Sequence, residues 1–225
     1  YKPQERIQDG LLALYLFNEG SGSTIYDRSG IKPDLNLKIK DTNKISWLGS
    51  GIHLTSSTMI VSDGNADKLF DSLKHGQELS IEVWLLPDNL SQTGPARIVS
   101  MSRDPLQRNF TIGQSVSDLT IRLRTSKTDL NGIPELNTKR RVLSEKKTHI
   151  LTTYDGNLKK LYINGELHSE SQELNGDFNT WSNYPLIMGN ELTGDRTWLG
   201  KIFLVAIYNR SLSAEEVLRN YQVGI

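Results

Sequence analysis

The sequence predicts an all-β fold: two antiparallel sheets packed face to face, with one or two short surface helices. Three observations lead there. In Thr148–Gln172, THILTTYDGNLKKLYINGELHSESQ, the pairs Asp155-Gly156 and Asn164-Gly165 separate three runs of strand-forming residues. Asp-Gly and Asn-Gly supply the positive φ angles of tight hairpin turns, so this stretch spells a three-stranded meander. Within its middle strand Leu161 and Ile163 fall on one face and Lys160 and Tyr162 on the other, one side dry and one wet. A sheet with one dry face needs a second layer against it. The remainder of the chain repeats the theme, with short apolar or alternating runs closed by turn residues.

In order, Leu11–Phe17 (LLALYLF) is a buried strand closed by Asn18-Glu-Gly-Ser-Gly22, and Asp27-Arg-Ser-Gly30 marks the next turn. Leu35, Leu37 and Ile39 alternate with Asn36, Lys38 and Lys40, a half-buried strand. Ile45–Leu54 and Thr58–Ser62 read as two further strands. Ala66–His75 is a short helix, with Leu69, Phe70 and Leu73 at helical spacing, Asn65 or Asp67 as its cap and Gly76 as its stop. Leu79–Leu86 is the most apolar strand. Arg97–Ser102, Phe110–Gly113 and Leu119–Thr125 follow, then a long excursion through the charged stretch Lys139–Lys147 to the meander. Asn175–Pro185 is a second long polar loop, and Pro185–Asn190 and Leu199–Tyr208 complete the sheets. A last helix is signed by Ser213 and Glu216 as a capping box, with Leu212 and Val217 as the hydrophobic staple around it.

Composition narrows the function. At 225 residues the chain suits one undivided sandwich domain over 1–225. Lys plus Arg is 26 and Asp plus Glu is 26, so the net charge is +0, against the basic excess that nucleic-acid binders carry to release counterions. The absence of cysteine excludes a disulfide framework and thiolate zinc sites. No run of 18 apolar residues offers a membrane span. The chain starts at Tyr1 rather than Met, which leads us to expect an upstream signal peptide or domain.

Taken together, Gly10-LLALYLFNEGSGS with Asp27-x-Ser-Gly30, LSIEVWLLPDN at 79–89, TTYDGNLKKLYINGE at 152–166, and Trp198-Leu-Gly-Lys-Ile with AIYNRSLSAEEV at 206–217 resemble the bacterial laminin G-like (LamG-like) jelly-roll modules of the concanavalin A-like lectin/glucanase superfamily. The resemblance runs from about Gly10 to the C-terminus. It implies a jelly-roll sandwich with one concave face and adjacent first and last strands. It also implies sugar or protein binding, a calcium ion in some members, and carriage on larger exported proteins. The acidic pair that many members place after the Gly-x-Ile of the last strand is replaced here by Phe203-Leu204-Val205.

Several constellations bear on chemistry. Glu78-Leu-Ser80-Ile-Glu82 is a near miss of the Glu-x-Asp-x-Glu strand of laminarinase-like hydrolases in the same superfamily. Residues four apart on a regular strand lie ~13 Å apart, whereas retaining hydrolysis needs its carboxyls at ~5–5.5 Å. Glu82 therefore reads as a residue of the strand's wet face. The four histidines are scattered, and His149 reads as a core or edge residue. Asp63-Gly-Asn65-Ala-Asp67 has the oxygen alternation of a calcium loop, but Lys68 and Lys74 stand where an EF-hand needs glycine and glutamate. Asn18, Glu19 and Asp27 form a second oxygen-rich group, compatible with one structural calcium and equally with ordinary turns.

For a ligand, the sequence offers two places. Trp181 and Tyr184 lie in a polar loop with Asn183, Asn179 and Asp177, where an exposed ring stacks on a sugar while amides bond its hydroxyls. Alternatively the loop is pinned by its own aromatics. Arg122 and Arg124 share one strand face, and with Lys139, Arg140, Arg141, Lys146 and Lys147 they suit an acidic polysaccharide or a solvated surface. Asn89, Asn109 and Asn209 stand in glycosylation-type triplets of little weight. The reading that results is a non-catalytic module of an exported protein, binding carbohydrate or another protein and working beside other domains of its own chain. A ligand-free spacer is the alternative, and a glycoside hydrolase comes third.

Overall fold

The computed structural model describes residues 4–173 and 175–225. In chain order the strands are β1 (Leu11–Tyr15), β2 (Thr24–Ile25), β3 (Leu37–Ile39), β4 (Ile45–Trp47), β5 (Ile52–Leu54) and β6 (Ile60–Ser62). Helix α1 (Asp67–Leu73) precedes β7 (Leu79–Pro87), β8 (Ala96–Asp104), β9 (Gln107–Ser115), β10 (Asp118–Leu123) and β11 (Leu136–Asn137). Then come β12 (Thr148–Tyr154), β13 (Lys159–Ile163), β14 (Glu166–Ser171), β15 (Leu186–Met188), β16 (Gly200–Tyr208) and α2 (Ala214–Val223). The first sheet runs β14-β13-β12-β7-β16-β5-β4, with β1 also paired to β16; the second runs β11-β10-β9-β8-β15-β6-β3-β2. The pairings are antiparallel throughout, and β1 against β16 brings the chain's first and last strands together.

The meander is β12-β13-β14. At its second turn Asn164 and Gly165 take φ of 51° and 83°, the paired positive angles that let a two-residue turn follow the twist of the strands. Ile45–Leu54 is two strands rather than one. It folds into the β4–β5 hairpin, with Ile45 opposite Leu54 and the Gly49–Gly51 stretch at its bend. Helix α1 begins at Asp67, and its cap position is Ala66, which makes no side-chain cap bond. Asn65 and Asp67 are therefore not its cap. Ser213 and Glu216 do form the reciprocal capping box of α2.

Two apolar layers result. The main core lies between the sheets and takes Leu161, Ile81, Ile112, Ile121 and Met188 from alternate positions of both. The second lies on the outer face of the first sheet, where Trp84, Leu151, Tyr162, Leu204 and Tyr208 are roofed by Ile7 of the N-terminal segment and Val217 of α2. Tyr162, expected on a wet face, is buried there because the two terminal segments converge over that sheet. They are stitched to each other as well. Ile7 N donates to the Asn220 side chain at 2.9 Å, Arg219 Nε to the Glu5 carbonyl at 2.7 Å, and Arg6 to the Gly224 carbonyl.

Candidate functional site

The outer faces of the two sheets differ in kind. The first is largely covered by residues 5–7 and α2, which leave a cleft of about 500 Å³ beside Glu78, Lys160 and Arg210, and the second carries polar residues that neither helix covers: α1 sends Leu69 and Leu73 into the main core, and α2 packs on the first sheet. Strand register traces the second sheet's outer face residue by residue. Thr24 stands opposite Lys38, Lys38 opposite Val61, Val61 opposite Ile187, Ile187 opposite Ser100, Ser100 opposite Thr111, and Thr111 opposite Arg122. Partners directly across a ladder share a face, so this row spans seven strands, about 29 Å at ~4.8 Å per strand. Their strand neighbours Leu37, Ile60, Met188, Ile112 and Ile121 point into the main core.

A buried ion network holds the middle of this face. Arg97 Nε lies 3.2 Å and Arg108 Nη1 3.6 Å from Glu191 Oε2, and Ser102 Oγ donates to Glu191 Oε1 at 2.5 Å. All three charged side chains are essentially inaccessible. Arg108 further donates to Asn131 Oδ1 and Thr111 Oγ1, both at 2.7 Å, and to the Pro105 carbonyl, so one guanidinium joins the β8–β9 turn to the loop after β10. Two guanidiniums share one carboxylate. Burial, reinforced by repulsion from Arg97, pushes the Arg108 guanidinium down to about 10 against the pull of Glu191. Asn190 completes the fixation of the 190–197 loop by accepting from Glu191 N at 2.9 Å and Arg196 N at 3.0 Å.

Two clefts open on this face at the α1 side. One, of about 510 Å³, is lined by Tyr26, Asp34, Asn36, Lys38, Asp63 and Asp67. Tyr26, at 46%, is the most exposed aromatic residue among the described residues, and the Arg28 guanidinium sits 5.1 Å over one face of its ring. The second, of about 440 Å³, is lined by Lys40, Val61, Arg103, Tyr184, Pro185 and Leu192, with Asn183 at its wall. At the opposite edge, a hydroxyl-rich cleft of about 420 Å³ runs along Ser115, Thr120, Glu135 and Asn137.

The residues singled out from sequence are placed as follows. Trp181 and Tyr184 are not exposed platforms. Trp181 is 2% exposed, stacks on Phe178 at 4.4 Å between ring centroids and donates Nε1–H to the Arg124 carbonyl at 2.7 Å. The long loop folds over the end of the core, and its own aromatics pin it. Tyr184 is buried but reaches the 440 Å³ cleft, and Asn183 bonds the Asp67 side chain at 2.6 Å. Arg122 and Arg124 do not make an open basic face either: Arg122 is held by Glu135 and Asn131, and Arg124 is buried.

Asn18, Glu19 and Asp27 do not make a calcium cage. Asp27 accepts from the amides of Leu14, Ser29 and Leu35 and from the Lys68 ammonium at 2.6 Å, so a cationic side chain already occupies a metal's place beside it. Glu19 Oε1 takes the Tyr26 amide at 2.9 Å, while Asn18 lies exposed. Glu82, expected on a wet face, is fully buried among Arg6, His149 (3.0 Å) and Asn220 (2.9 Å). Burial raises its carboxyl, but the His149 hydrogen bond and the Arg6 charge outweigh that and hold it below the ordinary carboxylate value. Glu78 accepts the Ser211 amide at 3.0 Å, and Ser80 bridges the Arg210 carbonyl and the Leu212 amide. These groups tie the turn before α2 to the sheet and present no open carboxylate pair.

Sequence reading passed over Lys40 and Arg103. The period-two alternation of Lys38 and Lys40 gave their side of the strand, but nothing local joins Lys40 to a residue 63 positions later.

With the fold and faces in place, comparison with known proteins decides the family. The laminin G-type profile of the concanavalin A-like lectin/glucanases superfamily matches residues 56–218. The chain belongs to that superfamily. No curated protein matches the sequence. Among solved structures, the binding domain of botulinum neurotoxin serotype D/C superposes with a TM-score of 0.72 at 13% identity, over 96% of this chain and 52% of that one. A botulinum neurotoxin DC binding domain in complex with rat synaptotagmin II gives 0.70 at 14%, over 96% and 52%. This member of the superfamily therefore spans about half the length of those toxin domains. Domain 4 of an extracellular arabinanase of Geobacillus stearothermophilus, in complex with arabinotriose, gives 0.66 at 19%, over 94% of this chain and 98% of that domain. At these identities the likeness is one of fold.

Proposed function

We propose that this chain is a non-catalytic binding module whose ligand is carbohydrate, taken up on the outer face of the second sheet, and that it serves as part of a larger exported protein. One observation carries the reading: the exposed Tyr26 ring stands in a 510 Å³ cleft among Asp34, Asn36, Asp63 and Asp67. An aromatic face accepts the C–H face of a pyranose or furanose, and short carboxylates and amides pair with its hydroxyls. The cleft is within the ~300–1,000 Å³ range of small-ligand sites. The arabinanase domain solved with arabinotriose lends support, because nearly its whole length superposes on this chain.

The test is affinity electrophoresis through gels containing neutral polysaccharides, arabinan and galactan first. The wild-type protein should be retarded, and Tyr26→Ala should run freely with little change in melting temperature, since that residue belongs to neither apolar cluster. Failure of every polysaccharide to retard the wild type would sink the reading, as would a Tyr26→Ala protein retarded like wild type.

A further inference from the structure

Resting on that reading, we infer that the 440 Å³ cleft beside the Tyr26 site is a subsite for a carboxylated sugar, of the uronic acid class, in the bound chain. Three features of the cleft point there together.

Its charge is one-sided. Lys40 and Arg103 are its charged residues, and no acid lines it. Lys40 makes no ion pair among the described residues, and the single pairing of Arg103 is with its neighbour Asp104 at 3.5 Å on an exposed side chain. Such exposed pairs contribute little and exchange readily for a better partner. The adjoining Tyr26 cleft has the opposite balance, with Asp34, Asp63 and Asp67 against Lys38 and a Lys68 already engaged by Asp27. Two neighbouring clefts of opposite sign separate the roles: hydroxyl recognition in one, an anionic group in the other.

Part of its lining is apolar. Val61, Pro185, Tyr184 and the 38%-exposed Leu192 line it together with the two cations. A uronate ring has that pairing of surfaces, an apolar C–H face and one carboxylate at the rim, which a guanidinium meets with two parallel hydrogen bonds.

The walls are fixed in advance. Leu192 follows Glu191, which is anchored by Arg97, Arg108 and Ser102. Tyr184 is held through its carbonyl by the Ala66 amide at 2.9 Å, and the preceding Ser182 exchanges two bonds with the Asn109 side chain, at 2.7 and 3.2 Å. Ser62 Oγ bridges Gly64 O and the Leu186 amide at 2.8 and 3.0 Å. Buried polar anchoring of three separate segments around one concavity gives a binding site that needs little ordering when its ligand arrives.

The experiment compares three polymers in affinity gels: polygalacturonate, neutral galactan and heparin as the sulfated control. Wild type, Tyr26→Ala and the double variant Lys40→Gln/Arg103→Gln are run in each. We expect polygalacturonate to bind more tightly than galactan, and its binding to weaken about tenfold or more from 0.05 to 0.5 M NaCl as screening shortens the reach of the two cations. The double variant should lose that excess affinity and the salt dependence while keeping galactan retention and the wild-type melting temperature. Polygalacturonate bound equally by wild type and double variant overturns the inference and leaves the carbohydrate reading standing on galactan. Heparin preferred to polygalacturonate overturns the assignment of a carboxylate. Loss of all three polymers from the wild type removes the reading and the inference together.

Discussion

Lys159 offers the sharpest check on the physical account of the fold. It sits on β13 opposite Tyr154 and Ser171, on the same side as Leu161, so its stem enters the main core beside Leu79, Ile81 and Leu123. It is 3% exposed, and no described carboxylate lies within ion-pair distance. Burial pushes its ammonium from 10.5 down to about 8, against weaker attraction from Glu135 and Glu173. That difference, at ~1.36 kcal/mol per pH unit, means the charged amine costs the fold about 3 kcal/mol at neutral pH. The sign follows from proton counts. Between about 8 and 10.5 the unfolded chain holds a proton that the folded chain has released, so stability rises with pH through that window and the cost is complete below it.

Lys159→Met keeps the stem's length and removes the charge. It should raise stability by roughly 1–3 kcal/mol at pH 7, allowing for imperfect packing of the thioether. Urea unfolding of wild type and variant at pH 7 and again near pH 10 gives the measurement, and other titrating groups cancel in the difference. The gain should shrink toward zero at the higher pH. A variant less stable than wild type at pH 7, or a gain of equal size at both pH values, would refute the argument that an uncompensated buried charge sits at this position.

The remaining predictions concern packing and acid. Trp181→Ala should destabilise by ~3–5 kcal/mol, the usual cost of emptying a large aromatic site, and lower the melting temperature by roughly 6–20 °C. A variant that melts with wild type would return Trp181 to the surface. Glu82 and Asp27 both titrate below their ordinary values of 4.5 and 3.8 in the fold, so their contribution is complete above those values and is lost as pH falls through the lowered ones. Urea midpoints should therefore drop steeply below about pH 4.5, and Glu82→Gln, ~3–5 kcal/mol less stable at pH 7, should flatten that fall. An acid limb unchanged by the substitution would mean that other carboxylates govern it.

The legible parts of this fold were the ones that local chemistry determines. Asn164-Gly165 imposes a turn whatever surrounds it, Ser213 and Glu216 cap a helix through their own side chains, and Leu79–Leu86 is apolar enough to be buried anywhere. The misread residues depend on what arrives from elsewhere in the chain. Glu82 and Tyr162 alternate like a wet face, and become interior only because residues 5–7 and α2 meet above them. Trp181 shows no periodicity since it lies in a loop, and its burial comes from Phe178, Phe110 and the Arg124 carbonyl. Lys40 and Arg103 meet through the ladders joining β3, β6, β15 and β8, a juxtaposition that exists only once four strands have found their register.

The stitching of the two terminal segments also has a mechanical side. Residues 5–7 and α2 lie against each other on the first sheet, held by Ile7–Asn220, Arg219–Glu5 and the Arg6 contacts with Glu82 and Gly224. Tension applied through the two ends would load this seam before it reached the β1–β16 ladder. The Tyr26 and Lys40 clefts lie across the opposite sheet, outside the line of force. A pulled molecule would thus yield first at this seam, with the outer face of the second sheet still in its resting shape.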